Sequence, residues 1–94
     1  MGRFLKLEAG PRAKYLTAAE QDLARSVRAA GAGAREWGFL AQARTSLARS
    51  LIERGQDAAA MCRAALAAFS RLPRATQQRL RSNIAFCQKY ARGN

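Results

Sequence analysis

Apolar residues recur every three or four positions along most of this 94-residue chain. That spacing places them on one side of an α-helix. The pattern stops at Gly31, Gly33, Gly55 and Pro73, which are residue types that end helices. It therefore predicts an all-α fold, a compact four-helix bundle in a single domain over residues 1–94. The helices are predicted over about residues 17–30, 34–54, 57–72 and 74–92.

The first predicted helix begins at a capping box. Thr17 and Glu20 have the spacing at which the hydroxyl and the carboxylate each satisfy a free backbone N–H at a helix start. Upstream, the Gly10-Pro11 pair breaks the pattern. Residues 1–14 are therefore predicted to form a short, extended, basic arm ahead of a bundle that spans 17–92. The alternative is a frayed terminus.

The second and third predicted helices form an antiparallel hairpin, because Gly55 and Asp57 leave almost no loop between them. Asp57 is placed in the first turn, where the helix dipole favours an anion. Arg44 falls inside the apolar stripe of the second helix. Either its guanidinium reaches water along the core surface, or it is a paired, partly buried residue or an interface residue. Gly38 costs about 1 kcal/mol relative to alanine inside a helix, and we interpret it as room for another helix.

The hairpin carries small and apolar residues in the pattern of a known repeat: Leu47, Ala48, Leu51, Gly55, Ala60, Ala67 and Pro73. Over this stretch the chain resembles one repeat of the tetratricopeptide family. Arg49 departs from the pattern, and the next period does not continue it. The resemblance implies a helical hairpin and a helical adaptor or chaperone-like protein.

Basic residues outnumber acidic residues by 17 to 6, which gives a net charge of +11. Such a field favours encounter with a polyanion, either DNA or RNA, or with an acidic protein. The alternative is a merely basic surface, since arginine and alanine are also what a GC-rich genome produces. No apolar run is long enough to span a membrane, and no leader segment opens the chain. We therefore expect a cytoplasmic protein that does not act on membranes.

Catalytic chemistry has few candidates in this sequence. There is no histidine, the commonest general base and metal ligand. Cys62 and Cys87 lack metal-ligand spacing and lie on apolar stripes, as inert buried thiols do. They would approach each other, and form a disulfide in an oxidised sample, if their helices pack together. Glu20 and Asp57 are assigned to helix starts. The sequence predicts no enzyme, no cofactor, no metal site and no small-molecule substrate.

The last predicted helix holds cations and no carboxylate. At 100° per residue, one side forms an apolar core stripe and another a basic row. Cations of the third helix extend that row. The candidate contacts to a nucleic acid or another acidic partner are Arg63, Arg71, Arg74, Arg81, Lys89 and Arg92. The main hypothesis is a non-enzymatic small basic binding or regulatory protein that acts on a nucleic acid or a nucleoprotein complex. The alternative for this row is a solvated helix face.

A third side of the same helix aligns Arg79, Phe86 and Tyr90. Aromatic residues beside arginine are enriched at binding hot spots. The alternative function is therefore a protein-protein adaptor, chaperone-like or inhibitor module that uses this side, or a homodimer formed through it. In the structural alternative, another part of the chain covers these aromatics. A short, highly basic chain without catalytic residues also fits a phage or mobile-element regulator or inhibitor.

Overall fold

The computed structural model describes residues 9–28 and 31–92, and within these ranges the chain contains five α-helices and no strand. The all-α prediction is confirmed. In chain order the helices are α1 (Ala9–Arg28), α2 (Ala34–Glu53), α3 (Ala59–Phe69), α4 (Arg74–Arg79) and α5 (Arg81–Ala91).

The α2–α3 hairpin is the centre of the fold. Helix α1 packs on α2, while α5 packs mainly on α3 and also touches α2. Gly55 ends the hairpin's first helix with a φ of +72°, and its N–H donates to the carbonyl of Ile52 at 3.0 Å. The N–H of Gln56 donates to the carbonyl of Leu51 at 2.8 Å. These two hydrogen bonds form a Schellman motif, which a left-handed glycine closes. The prediction that a helix stops at Gly55 is confirmed.

Small residues fill most of the core. Among the residues whose burial the structure describes, only Phe69, Leu40, Cys62 and Cys87 are large side chains with less than 2% exposure. Alanines at five helix contacts are fully or almost fully buried, and these are Ala41, Ala48, Ala59, Ala65 and Ala68. A side chain of one carbon buries little area, so the helix axes must approach closely for this core to exclude water.

The first helix starts at Ala9, so the predicted start at Thr17 is wrong. Gly10 and Pro11 lie in its first turn, where the N–H that proline lacks would have no partner in the helix. The prediction of an extended arm is therefore wrong for residues 9–14. Residues 1–8, the remainder of that predicted arm, lie outside the described residues, as do residues 29 and 30 at the predicted end of this helix.

The capping-box prediction is also wrong. Thr17 and Glu20 lie inside α1, where the backbone N–H groups already have partners in the preceding turn. Glu20 instead forms an ion pair with Arg44 of α2. The ion pair with Arg44 explains the presence of a carboxylate at position 20.

The third helix is shorter than predicted at both ends. It begins at Ala59 rather than at Asp57 and ends at Phe69 rather than at Leu72. Asp57 lies just before the helix, and its Oδ1 accepts a hydrogen bond from the N–H of Ala59 at 2.9 Å. The carboxylate still satisfies a free N–H at the helix start, although from outside the first turn.

The predicted helix over 74–92 is interrupted at Leu80, between α4 and α5. Leu80 has φ −102° and ψ 19°, in the bridge region beside the helical one. Its N–H still donates to the carbonyls of Thr76 and Gln77, and its carbonyl accepts from the N–H of Ile84. The break therefore leaves these backbone groups satisfied, while the Leu80 side chain packs against the core. Because the helix is interrupted, a single 100° rotation does not relate side chains on opposite sides of Leu80.

Candidate functional site

The C-terminal part of the chain, residues 58–94, carries positive charge and no acidic side chain. None of the six acidic residues lies beyond Asp57, whereas seven basic residues do. All seven side chains are exposed. They are Arg63, Arg71, Arg74, Arg79, Arg81, Lys89 and Arg92. This C-terminal part contains α3, α4 and α5, so the basic surface is made by three helices rather than by one.

Three carboxylates of α1 and α2 have partners in or beside these helices. Glu20 pairs with Arg44, and Asp22 pairs with Arg25. Glu36 accepts a hydrogen bond from the N–H of Gly33 at 2.6 Å, at the start of α2. These three carboxylates interact with groups in or beside the first two helices, whereas α3, α4 and α5 carry no acidic side chain.

Three of the six predicted contact residues also bind other parts of the protein. Arg63 Nη1 donates to the carbonyl of Ala91 at 2.9 Å, which satisfies a free acceptor at the end of α5. The guanidinium of Arg71 lies 5.0 Å from the ring centroid of Trp37. The Lys89 ammonium lies 5.5 Å from the ring centroid of Tyr90. These contacts restrain three exposed cations without burying them.

The side chains of the other three, Arg74, Arg81 and Arg92, form no hydrogen bond or ion pair with any residue that the structure describes. Arg74 opens α4 and Arg81 opens α5, on opposite sides of the break, while Arg92 follows the end of α5.

The six residues divide into two groups around α3. Arg63 contacts Ala91, so the start of α3 lies beside the end of α5, which carries Lys89 and Arg92. Arg71 and Arg74 flank Pro73 at the other end of α3. Arg63 and Arg71 are eight positions apart, about 12 Å at the rise of an α-helix, and Arg81 lies between Arg74 and Lys89 in sequence.

The second predicted group, Arg79, Phe86 and Tyr90, is also divided, because its members lie on two different helices. Phe86 and Tyr90 lie on α5 with their ring centroids 4.9 Å apart. The guanidinium of Arg49 lies 4.5 Å from the Phe86 centroid, and both rings are half-buried against the core. Arg79 lies on α4, before the break, and lines a groove that also includes Phe39.

That groove was missed at the sequence level. It has a volume of about 260 Å³ and separates the first half of α2 from α4. Its α2 wall consists of Ala34, Arg35, Gly38, Phe39 and Gln42, and its other wall consists of Thr76, Arg79 and Leu80. Arg35, Phe39 and Gln42 have the spacing of one helix face. The sequence could have indicated this shared face of α2, but the spacing does not show which part of the chain lies opposite it.

The two cysteines are buried and free. Burial, and then the nearby Cys87, raises the pKa of Cys62 from its ordinary value of 9.0 to about 11. The hydroxyl of Thr45 donates to the carbonyl of Ala41 at 2.8 Å and lies 3.5 Å from Cys87 Sγ. A protonated, buried thiol is a poor nucleophile. No group of three or more metal-ligating side chains occurs in the part of the chain that the structure describes.

No protein family, curated protein or solved structure matches this chain. Among the described helices, none combines the length and the apolar character needed to cross a membrane.

Proposed function

We propose that this protein binds nucleic acid through the exposed cations of α3, α4 and α5, as a small non-enzymatic binding or regulatory protein. The observation that supports the proposal is the basic C-terminal part, residues 58–94, with seven exposed cations and no acidic side chain. A phosphate backbone repeats negative charge at short intervals. Helices that carry cations and no acidic side chain can follow it with little repulsion.

Restrained cations favour this mode of binding. The Ala91 carbonyl and the Trp37 ring hold the guanidinium groups of Arg63 and Arg71, which lowers the entropy lost when a phosphate binds. A guanidinium has five N–H donors, so Arg63 keeps donors for phosphate oxygens after it donates to Ala91. Contacts of this kind position a nucleic acid but do not read its sequence.

A salt series with matched variants tests the proposal. Each phosphate contact adds about 0.9 to the slope of log affinity against log salt for duplex DNA. Arg74→Ala/Arg81→Ala should therefore make the slope shallower by about 2 and weaken binding at low salt. The matched control is Lys14→Ala/Arg28→Ala, which removes the same charge from exposed positions on α1.

The control should leave most of the affinity and slope in place. Equal loss in the two double variants would mean that only net charge matters and that α3 to α5 form no site. Absence of binding to both DNA and RNA at low salt would overturn the proposed function altogether.

A further inference from the structure

The groove between α2 and α4 places an exposed aromatic ring among cations. Phe39 is 48% exposed, although a phenyl ring gains free energy from burial. The Arg35 guanidinium lies 5.6 Å from its ring centroid. Arg79 lies on the opposite wall and is exposed. The groove is continuous in sequence with the basic surface, because α4 begins with Arg74.

We propose that this groove is a base-stacking subsite for single-stranded nucleic acid. This inference rests on the proposed function and names the form of nucleic acid that the protein prefers. One unpaired base stacks on the exposed ring of Phe39, since aromatic rings accept bases in single-strand recognition. Arg35 and Arg79 contact the phosphates, and Gln42 and Thr76 supply hydrogen-bonding groups for the base edge or the sugar.

The distribution of charge favours a nucleotide chain over an acidic peptide. Each wall of the groove carries a cation, Arg35 on α2 and Arg79 on α4, and the exposed ring of Phe39 lies on the α2 wall beside Arg35. A nucleotide chain has the complementary arrangement, because a phosphate lies on each side of every base. A volume of about 260 Å³ is below the usual range of pockets for drug-sized ligands and suits a single base.

The groove also implies a preference for single strands over duplexes. In a duplex the flat faces of the bases are stacked on each other, so a ring in a surface groove cannot reach them. A duplex would therefore use only the cations of the basic surface. The single strand would use those cations and Phe39 together.

The test compares two labelled probes by fluorescence anisotropy at low salt. One is an oligothymidylate of about 12 nucleotides, within the site size of small single-strand-binding domains, and the other is a duplex of equal length. Phe39→Ala should weaken oligothymidylate binding about 5- to 150-fold, which is the range of base-aromatic stacking. It should leave duplex binding within about twofold, since cations alone carry that interaction. Phe39→Tyr keeps the ring and should retain the affinity.

The outcomes separate this inference from the proposed function. Unchanged oligothymidylate binding in Phe39→Ala, together with loss of both probes in Arg74→Ala/Arg81→Ala, would overturn the subsite and leave the proposed function intact. Failure of the unmodified protein to bind either probe would overturn both. If polyglutamate displaces oligothymidylate at equal charge concentration and itself depends on Phe39, the groove is a site for acidic protein instead. Circular dichroism of Phe39→Ala checks that the exposed substitution leaves the helices intact.

Discussion

Glu20 of α1 accepts a hydrogen bond from Arg44 of α2, with 3.0 Å between Oε2 and Nε. Both side chains are only 18% exposed. Arg44 also donates from Nη1 to the carbonyl of Ala64 in α3 at 2.9 Å. One guanidinium therefore joins three helices. Of the two interpretations of an arginine within the apolar stripe, the structure shows the paired, partly buried one.

The Glu20–Arg44 pair should contribute measurably to stability. Glu20→Gln removes the charge while keeping the size of the side chain, and we expect the free energy of unfolding to fall by about 1–3 kcal/mol. The matched control is Asp22→Asn on the same helix. Asp22 and Arg25 form a pair with 70% and 72% exposure, and such pairs contribute about 0–1 kcal/mol. Urea unfolding measures both changes, and equal losses would contradict a special role for the Glu20 pair.

Gly38 should be replaceable by alanine with a gain in stability. A Cβ at this position would lie 3.8 Å from Leu72 Cδ2, an ordinary van der Waals contact. The interpretation that glycine is needed here for close helix approach is therefore not supported by the packing. Gly38→Ala should raise the free energy of unfolding by about 1 kcal/mol, the helix-propensity difference.

Gly55→Ala is the comparison variant for that prediction, and we expect it to lower stability. Its φ of +72° is unfavourable for residues with a Cβ, so we expect a loss of about 1–2 kcal/mol. The thermal unfolding temperature should rise in Gly38→Ala and fall in Gly55→Ala. A loss of stability in Gly38→Ala would show that the added methyl group disturbs the contact with Leu72.

Local signals explain which parts of the fold could be predicted from the sequence. Gly55 marks the end of α2 because a positive φ is a property of the residue itself. The start at Ala9 could not be found in this way, since the Gly10-Pro11 pair is compatible with both a break and a first helical turn. Leu80 is neither glycine nor proline, so nothing local marks the break that separates α4 from α5.

The candidate site also has one part that local sequence reveals and one part that depends on tertiary contacts. The excess of cations beyond Asp57 is visible in the sequence because counting charges requires no tertiary contact. The groove required knowledge of what lies opposite Phe39. That neighbour is Arg79, 40 positions later in the chain, which the periodic pattern had grouped with Phe86 and Tyr90 on an uninterrupted helix.

Phe86 should contribute more to stability than Phe39 does. Phe86 is half-buried against the core and lies under the Arg49 guanidinium, whereas Phe39 is 48% exposed. Phe86→Ala should cost about 2 kcal/mol, less than the 3–5 kcal/mol of a fully buried phenylalanine. Phe39→Ala should change the free energy of unfolding by less than about 0.5 kcal/mol. If Phe86→Ala costs no more than Phe39→Ala, the Phe86 ring is free to serve as a protein interface.

Cys62 should make stability depend on pH in the alkaline range. Its pKa rises from 9.0 to about 11 on folding, because burial disfavours the thiolate and Cys87 lies nearby. The folded protein therefore holds this proton more tightly than the unfolded chain does. The resulting contribution to stability is complete below pH 9 and is lost as the pH rises towards 11.

Cys62→Ala isolates this contribution from other groups that titrate in the same range. The substitution also opens a cavity, so the useful quantity is the slope of unfolding free energy against pH rather than its value at one pH. Between about pH 9 and 11 the slope should be more negative for the unmodified protein than for Cys62→Ala. In this range the unfolded chain has lost the Cys62 proton while the folded protein still holds it, so a rise in pH favours unfolding. Urea unfolding under reducing conditions measures both slopes. Parallel slopes would mean that the Cys62 thiol titrates equally in the folded and unfolded states, and a buried, protonated thiol would then be the wrong description of this site.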